Sequence, residues 1–380
     1  MEHRKMGALD ACPALLGFGC MRFPLTPEGK IDEPEAARMI GRAMEAGITY
    51  YDTAYSYHQE ESERFLGRVL PQYPRASYYL ATKLPVWLVK TSDDASRLFA
   101  EQLAKLNQEY IDFYLLHALD RERWQNMLRL GVVDDLLELK RQGKIRWLGF
   151  SFHDVYDTFE EIIRFRDWDF CQIQLNYMDA NIQAGLKGLA LARRLGVPVV
   201  VMEPVKGGSL TMLPEDIRRR LAAVCPERTP AAWALDWVAE QPGVSVILSG
   251  MSSMAQLEEN LATFENRRPF TPEETQAVAD AAAEFDKRLY NGCTGCKYCL
   301  PCPRGVNIPK CFSIWNDFGK FGNVELMKDS YFYWLDAGQR ADRCVGCRQC
   351  ESLCPQRIPI SRDLKRLSAE LAPYAPSGKA

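Results

Sequence analysis

From residue 15 to about residue 265 the chain alternates short β-branched or aromatic runs with longer segments of helical period. A strand followed by a helix returns the chain to the same edge of a sheet, so this alternation predicts parallel strands covered by helices. The strands read near Leu15–Cys20, Ile48–Thr53, Tyr78–Thr82, Ile111–Leu116, Arg146–Phe150, Cys171–Leu175, Pro198–Met202 and Ser245–Leu248. Helical segments lie between them at Glu35–Ala46, Glu63–Leu70, Asp94–Leu106, Asp134–Arg141, Phe159–Phe165 and Leu186–Leu195, with Ala255–Phe264 after the last strand. Several stop at glycine, as at Gly47, Gly143 and Gly196, which suits a left-handed cap before the next strand. Eight parallel βα units predict an α/β fold of the (β/α)8, or TIM-barrel, type.

The chain has 380 residues, too many for the barrel alone. The barrel is assigned residues 1–270, and a linking helix residues 271–289, where Thr271 caps, Pro272 opens and Glu273 and Glu274 fill the first turn. Residues 290–380 are read as a small, mainly helical second domain. Nine of the 13 cysteines fall between Cys293 and Cys354, and clustered thiols in a chain this long indicate metal rather than a disulfide scaffold. The charge balance of 47 Lys and Arg against 50 Asp and Glu gives no basic excess for nucleic acid. No apolar run reaches the roughly 18 residues of a spanning helix, and the first residues lack a signal-peptide core, so a cytoplasmic location without membrane association is expected.

In such a barrel the chemistry belongs at the C-terminal strand ends. Polar residues collect there: Asp52, Lys83, His117, Ser151, Gln174 with Asn176, Glu203 and Ser249 close strands two to eight in order. Asp52, Tyr57, Lys83 and His117 form a set able to deliver a proton to a carbonyl oxygen. A neighbouring Lys83 would draw the Tyr57 phenol down from its usual value of about 10, Asp52 would orient Lys83, and His117 would bond the substrate oxygen. The segments DTAYSY, ATK ending at Lys83 and LLH ending at His117 resemble the aldo/keto reductase superfamily. The resemblance implies Tyr57 as proton donor and hydride exchange with a nicotinamide cofactor.

That resemblance also assigns cofactor contacts. Ser151 and Gln174 would hold the carboxamide, with Phe152 where the family commonly has Asn, and Met202, beside Glu203, stands where an aromatic often stacks on the nicotinamide. Gly207 and Gly208 allow close backbone approach. After the last strand Ser249, Gly250 and Met251 replace the usual basic residue, and Gln256 replaces the Arg that grips a 2′-phosphate, leaving Glu259 and Asn260 for the adenine. NADH is therefore favoured slightly over NADPH, and a flavin is the alternative occupant.

The tail carries CTGCKYCLPCPRGVNIP from Cys293 and CVGCRQCESLCPQRIPI from Cys344, a repeat offset by 51 residues. Three thiolates spaced by two residues, then a fourth followed by proline, match a bacterial-type ferredoxin better than zinc, so two [4Fe–4S] clusters are expected. The first run departs from the usual pattern, with two residues rather than three before Cys302. By resemblance to two-cluster ferredoxins, Cys293, Cys296, Cys299 and Cys354 would bind one cubane and Cys344, Cys347, Cys350 and Cys302 the other. Cys311 reads as a buried free thiol. Trp315, Phe318, Phe321 and Tyr331–Trp334 make an aromatic, helical connector. Barrel and tail together resemble the iron–sulfur branch of the aldo/keto reductases. This implies an oxidoreductase acting on a small carbonyl or alcohol, with electrons passing through the clusters to or from a redox protein. The alternatives are clusters that are only structural, or a redox-sensing module that binds a nucleotide without turnover.

Overall fold

A computed structural model describes residues 1–376. Eight parallel strands close into a barrel in sequence order: β1 (Leu16–Gly19), β2 (Tyr50–Asp52), β3 (Tyr79–Leu84), β4 (Ile111–Leu119), β5 (Ile145–Phe152), β6 (Phe170–Gln174), β7 (Val199–Met202) and β8 (Val244–Gly250). Alternation along each strand sends one set of side chains inward and the other toward the helices. The inward set includes Tyr50, Ala81, Phe113, Leu115, Trp147 and Phe170, completed by Val200, Val246 and Leu248, all buried. An N-terminal hairpin, with His3 bridged to Ala14, adds Met6 and Ala11 to this interior. The outward set, with Tyr51, Leu80, Tyr114, Phe150 and Ile173, joins the helices in the larger core.

The same parity, continued one step past the packed interior, decides what stands at the C-terminal rim. Asp52 follows Tyr50, Lys83 follows Ala81, His117 follows Leu115, Ser151 follows Gly149, Gln172 follows Phe170 and Met202 follows Val200. Closure of the barrel needs small residues where strands crowd. A Cβ on Gly149 would lie 2.5 Å from the Phe170 carbonyl oxygen.

Each anticipated helix is present within a few residues, the first being Glu33–Glu45 with Asp32 as its cap. Before residue 272 three helices were not anticipated: Arg121–Arg129, Glu215–Val224 and Pro230–Ala239. The first buries only Trp124 and Met127 from a polar sequence. The third is apolar on nearly every side and so shows no period, but the Thr229 hydroxyl accepts from the Ala232 N–H and Pro230 opens it.

The chain divides into two compact units. One comprises Met1–Thr211 and Arg228–Thr271, the other Met212–Glu227 and the chain from Pro272 onward. Within the second unit the Glu215–Val224 helix packs on the Pro272–Asp286 helix, and Arg288 donates to Asp216 at 2.5 Å. Its core gathers Ile308, Phe312, Trp315, Tyr331, Ile360 and Leu367, against which six of the cysteines pack. The connector is helical over Ile308–Phe321 and Val324–Lys328, then forms a π-type turn over Asp329–Tyr333. Trp315 and Tyr331 are buried, whereas Tyr333 and Trp334 are exposed. No helix among the described residues is long and apolar enough to cross a membrane.

Candidate active site

The barrel mouth opens into a cavity of about 1090 Å³. Asp52, Tyr57 and His117 line it, and Lys83 lies beneath, fully buried. The Lys83 ammonium donates to Asp52 Oδ1 at 2.6 Å and to the Thr53 carbonyl at 2.7 Å. Its Nζ is 5.0 Å from the centre of the Tyr57 ring. Burial opposes the charge on Lys83, but Asp52 and then Tyr57 outweigh it and hold the amine above its usual range. Burial raises the Asp52 carboxyl, against the pull of Lys83.

Tyr57 departs from expectation. Burial pushes its phenol up, and the opposing attraction of Lys83 does not cancel that push, partly because the Asp52 charge works with burial. The ring stays deep but keeps part of its surface open to the cavity. It meets His117 edge-on, with centroids 6.1 Å apart, and Trp87 also packs on His117, at 5.1 Å. Burial, then the charge of Lys83, drives His117 well below the ordinary histidine value, so the imidazole is neutral. Its Nδ1 is buried without a hydrogen-bond partner.

Unusual backbone surrounds these groups. His58, Gln59 and Glu60, directly after Tyr57, all have positive φ, of 51°, 55° and 74°, a run that L residues rarely adopt. The Phe23 N–H donates to His58 Nε2 at 3.2 Å and Lys105 pairs with Glu60 at 3.2 Å, pinning both ends of the run. Ala118, next to His117, is also left-handed, with φ of 52°. Its N–H donates to Ser151 Oγ at 2.7 Å and its carbonyl accepts from Arg123 at 2.7 Å.

Along the rest of the cavity lie Ser151, Met202, Glu203, Ser249, Gly250, Gln256, Glu259 and Asn260, as anticipated. Gln174 does not line it. That amide donates to Asp179 at 3.2 Å and accepts from Gln183 at 3.3 Å. Gln172 lines the cavity instead, with a buried Oε1 that has no partner. Counting inward positions from Phe170 would have found it. Asn176 likewise serves a turn, accepting from the Met178 and Asp179 N–H groups. Asn260 donates to Ser249 Oγ at 2.9 Å. Ser253 caps the Met254–Glu265 helix, and Gln256 Oε1 accepts from the Ser252 N–H at 2.8 Å.

Four further lining residues were missed. His58 and His153 join His117, so three of the chain's four histidines face this cavity. Arg22 lies against Gly207 and Gly250. Arg123 stands on the unanticipated Arg121–Arg129 helix. The sequence offered one signal, the scarcity of histidine.

In the second unit Cys302, Cys344, Cys347 and Cys350 line one small cavity, together with Cys299. Burial raises the Cys293 thiol, and Cys296 and Cys354 beside it raise it further. Cys299 is pushed up to about 12 by burial, then by Cys293. Thiols raised in this way ionise readily only when a cation takes them. No three His, Cys, Asp or Glu side chains among the described residues converge tightly enough for a single metal ion. The softness and number of the thiols suit iron–sulfur clusters. Cys311 is buried in the core, its Sγ 3.5 Å from the Gln339 carbonyl.

The chain is similar to several known proteins. The NADH-specific methylglyoxal reductase of Escherichia coli is 26% identical over 69% of this chain and 93% of its own. The L-galactose dehydrogenase of Arabidopsis thaliana is 27% identical over 76% and 96%. The holo form of an aldo-keto reductase from Bacillus halodurans superposes with a TM-score of 0.63 at 27% identity, covering 74% of this chain and 96% of that one. Residues 292–358 match the 4Fe-4S dicluster domain and residues 15–283 match the aldo/keto reductase family model. With a closed parallel barrel, a polar rim and a cysteine-rich second unit, the chain belongs to the aldo/keto reductase family, as an oxidoreductase of small carbonyl or alcohol compounds that carries a 4Fe-4S dicluster domain.

Proposed function

We propose that Tyr57 is the proton donor and acceptor for a hydride exchange between a nicotinamide dinucleotide and a small carbonyl or alcohol, coupled to one-electron carriers through two [4Fe–4S] clusters. The observation that carries the first part is the buried Lys83–Asp52 pair beneath a phenol that opens onto the cavity. Lys83, locked by two hydrogen bonds, presents a fixed positive charge to the Tyr57 oxygen and stabilises the phenolate formed when the proton leaves. Neutral His117 bonds the same substrate oxygen without competing for the proton. The bound dinucleotide supplies or accepts the hydride. Gln172 and Ser151 would hold its carboxamide, and Gly207 and Gly250 would let its diphosphate approach beside Arg22, which would serve NADH and NADPH alike.

The preference for NADH is supported by what the basic groups do. Lys206 Nζ pairs with Asp179 at 2.7 Å, and Arg267 is bound to Glu2 and Glu240 and does not line the cavity. Gln256 uses its carbonyl on its own helix cap. The Escherichia coli relative, named as NADH-specific, agrees. A flavin in this cavity would replace the hydride donor and leave Tyr57 its proton. In the second unit, Cys293, Cys296, Cys299 and Cys354 would hold one cubane and Cys302, Cys344, Cys347 and Cys350 the other; the cavity that Cys302 shares with Cys344, Cys347 and Cys350, and also with Cys299, supports the second set.

Tyr57→Phe tests the mechanism. Carbonyl reduction should fall about 10²–10⁴-fold while dinucleotide affinity changes little, because the hydroxyl acts only on the reacting oxygen. Unchanged turnover would remove Tyr57 and favour a nucleotide-binding sensor. Anaerobically prepared protein, with its organic cofactor released and identified, should carry about eight irons and no flavin.

A further inference from the structure

The barrel-mouth cavity is electrically lopsided. Apart from Asp52, which Lys83 neutralises, its acidic lining side chains are Glu203 after β7 and Glu259 on the Met254–Glu265 helix. The β3 to β5 side is lined by Trp87, His117, Arg123 and His153, with no acid among them. Arg123 is set there by helix geometry. Asp120 caps the Arg121–Arg129 helix by accepting from the Arg123 N–H, which starts the helix immediately after the strand that carries His117.

The Arg123 guanidinium donates to the Ala118 carbonyl at 2.7 Å and stands 5.7 Å from the Trp87 ring centre. Its counter-ion Asp120 is 3.7 Å away and does not line the cavity. Five N–H donors are available in such a fork, and with 39% of the side chain exposed several stay open to a ligand. Ring contacts lead inward from there: Trp87 to His117 at 5.1 Å and His117 to Tyr57 at 6.1 Å. Arg123 and Tyr57 thus line one cavity, with the Trp87 and His117 rings in series between them.

We propose that the substrates are short carboxylates, 2-oxo or 2-hydroxy acids and their near relatives, whose carboxylate is gripped by Arg123 beside His153 while the reacting oxygen faces Tyr57 and His117. One guanidinium suits one negative charge. His153 adds a hydrogen bond and not a second charge, because burial, with the charge of Arg123 acting in the same direction, lowers its pKa, so a phosphate dianion would be left half-matched. In reduction the carbonyl carbon gains the hydride, its oxygen gains the Tyr57 proton, and a 2-hydroxy acid leaves with the dinucleotide oxidised. The proposal rests on the hydride-and-proton reading above but can be tested apart from it.

The probes are pyruvate and methyl pyruvate, which share a reacting carbonyl and differ in charge, titrated calorimetrically into the holoprotein saturated with oxidised NAD and then assayed for turnover with NADH. Pyruvate should bind about tenfold or more tightly than the ester, the scale of one charge-assisted hydrogen bond. Arg123→Leu should abolish that preference and leave ester binding within about twofold, while Arg123→Lys should keep part of it. Equal binding of the two probes to the native protein overturns the proposal, even if no variant folds. An equal loss for both probes in Arg123→Leu also overturns it, since that is the mark of a merely structural bond to Ala118. A pyruvate preference that depends on Arg123, without any turnover, sustains the carboxylate site and sinks the hydride reading instead.

Discussion

Lys83 has two of its donors committed, to Asp52 and to the Thr53 carbonyl, and still does not bring the Tyr57 phenol below its usual range against burial. The neutral phenol is the form that can give a proton, so the proposed mechanism favours reduction at neutral pH. Reduction should show no inflection near pH 6.5, because His117 is already neutral there. It should fall only where the phenol ionises, above about 10, while alcohol oxidation should climb with pH. A kcat/KM profile in both directions checks this. A limb near 6.5 lost in His117→Gln would contradict the assignment. At the same scale, Gln172→Leu should weaken dinucleotide binding by several-fold, about the worth of one hydrogen bond, and Gln174→Leu should not. Fluorescence titration separates them. Asp52, Tyr57, Lys83 and His117 were legible because each closes or follows a strongly apolar run. Gln172 was hidden by Gln174 two residues on, which shares its parity but spends its amide on Asp179 and Gln183.

At the scale of elements, the strands were legible because buried parallel strands read as short apolar runs, and only their ends moved. Helices were legible where they were amphipathic. Pro230–Ala239 has no polar stripe to give it a period, and Arg121–Arg129 has too little apolar surface. Packing between helices is also invisible in one sequence. Gly67, on the Glu61–Val69 helix, would place a Cβ 2.1 Å from the Lys105 carbonyl oxygen of the Asp93–Leu106 helix. Gly67→Ala should therefore cost about 1–3 kcal/mol by forcing these helices apart, measured by urea unfolding. Tyr57 lies just before that helix, so turnover should fall as well. A variant as stable as the native chain would show that the pair can slide.

At the scale of the whole molecule, two units were legible from the crowding of cysteines, but their border was not, since nothing in Met212–Glu227 marks it as belonging with residues beyond Thr271. The consequence for truncation is specific. A chain ended after Leu289 keeps the Glu215–Val224 helix against the Pro272–Asp286 helix, and should fold and bind dinucleotide. One ended at Thr271 uncovers Ile217 and Leu221, buried in the full chain, and should aggregate or melt earlier in a thermal scan. Equal melting of the two would show that this helix pair adds nothing to stability. The interleaving also sets an order of events during synthesis. The Glu215–Val224 helix leaves the ribosome before β8 exists, and its partner follows only after the barrel's final helix. A cell making this protein must therefore shield one apolar helix face until the Pro272–Asp286 helix has emerged, and with the proposed cluster ligands iron delivery falls later still, after Cys354 has emerged.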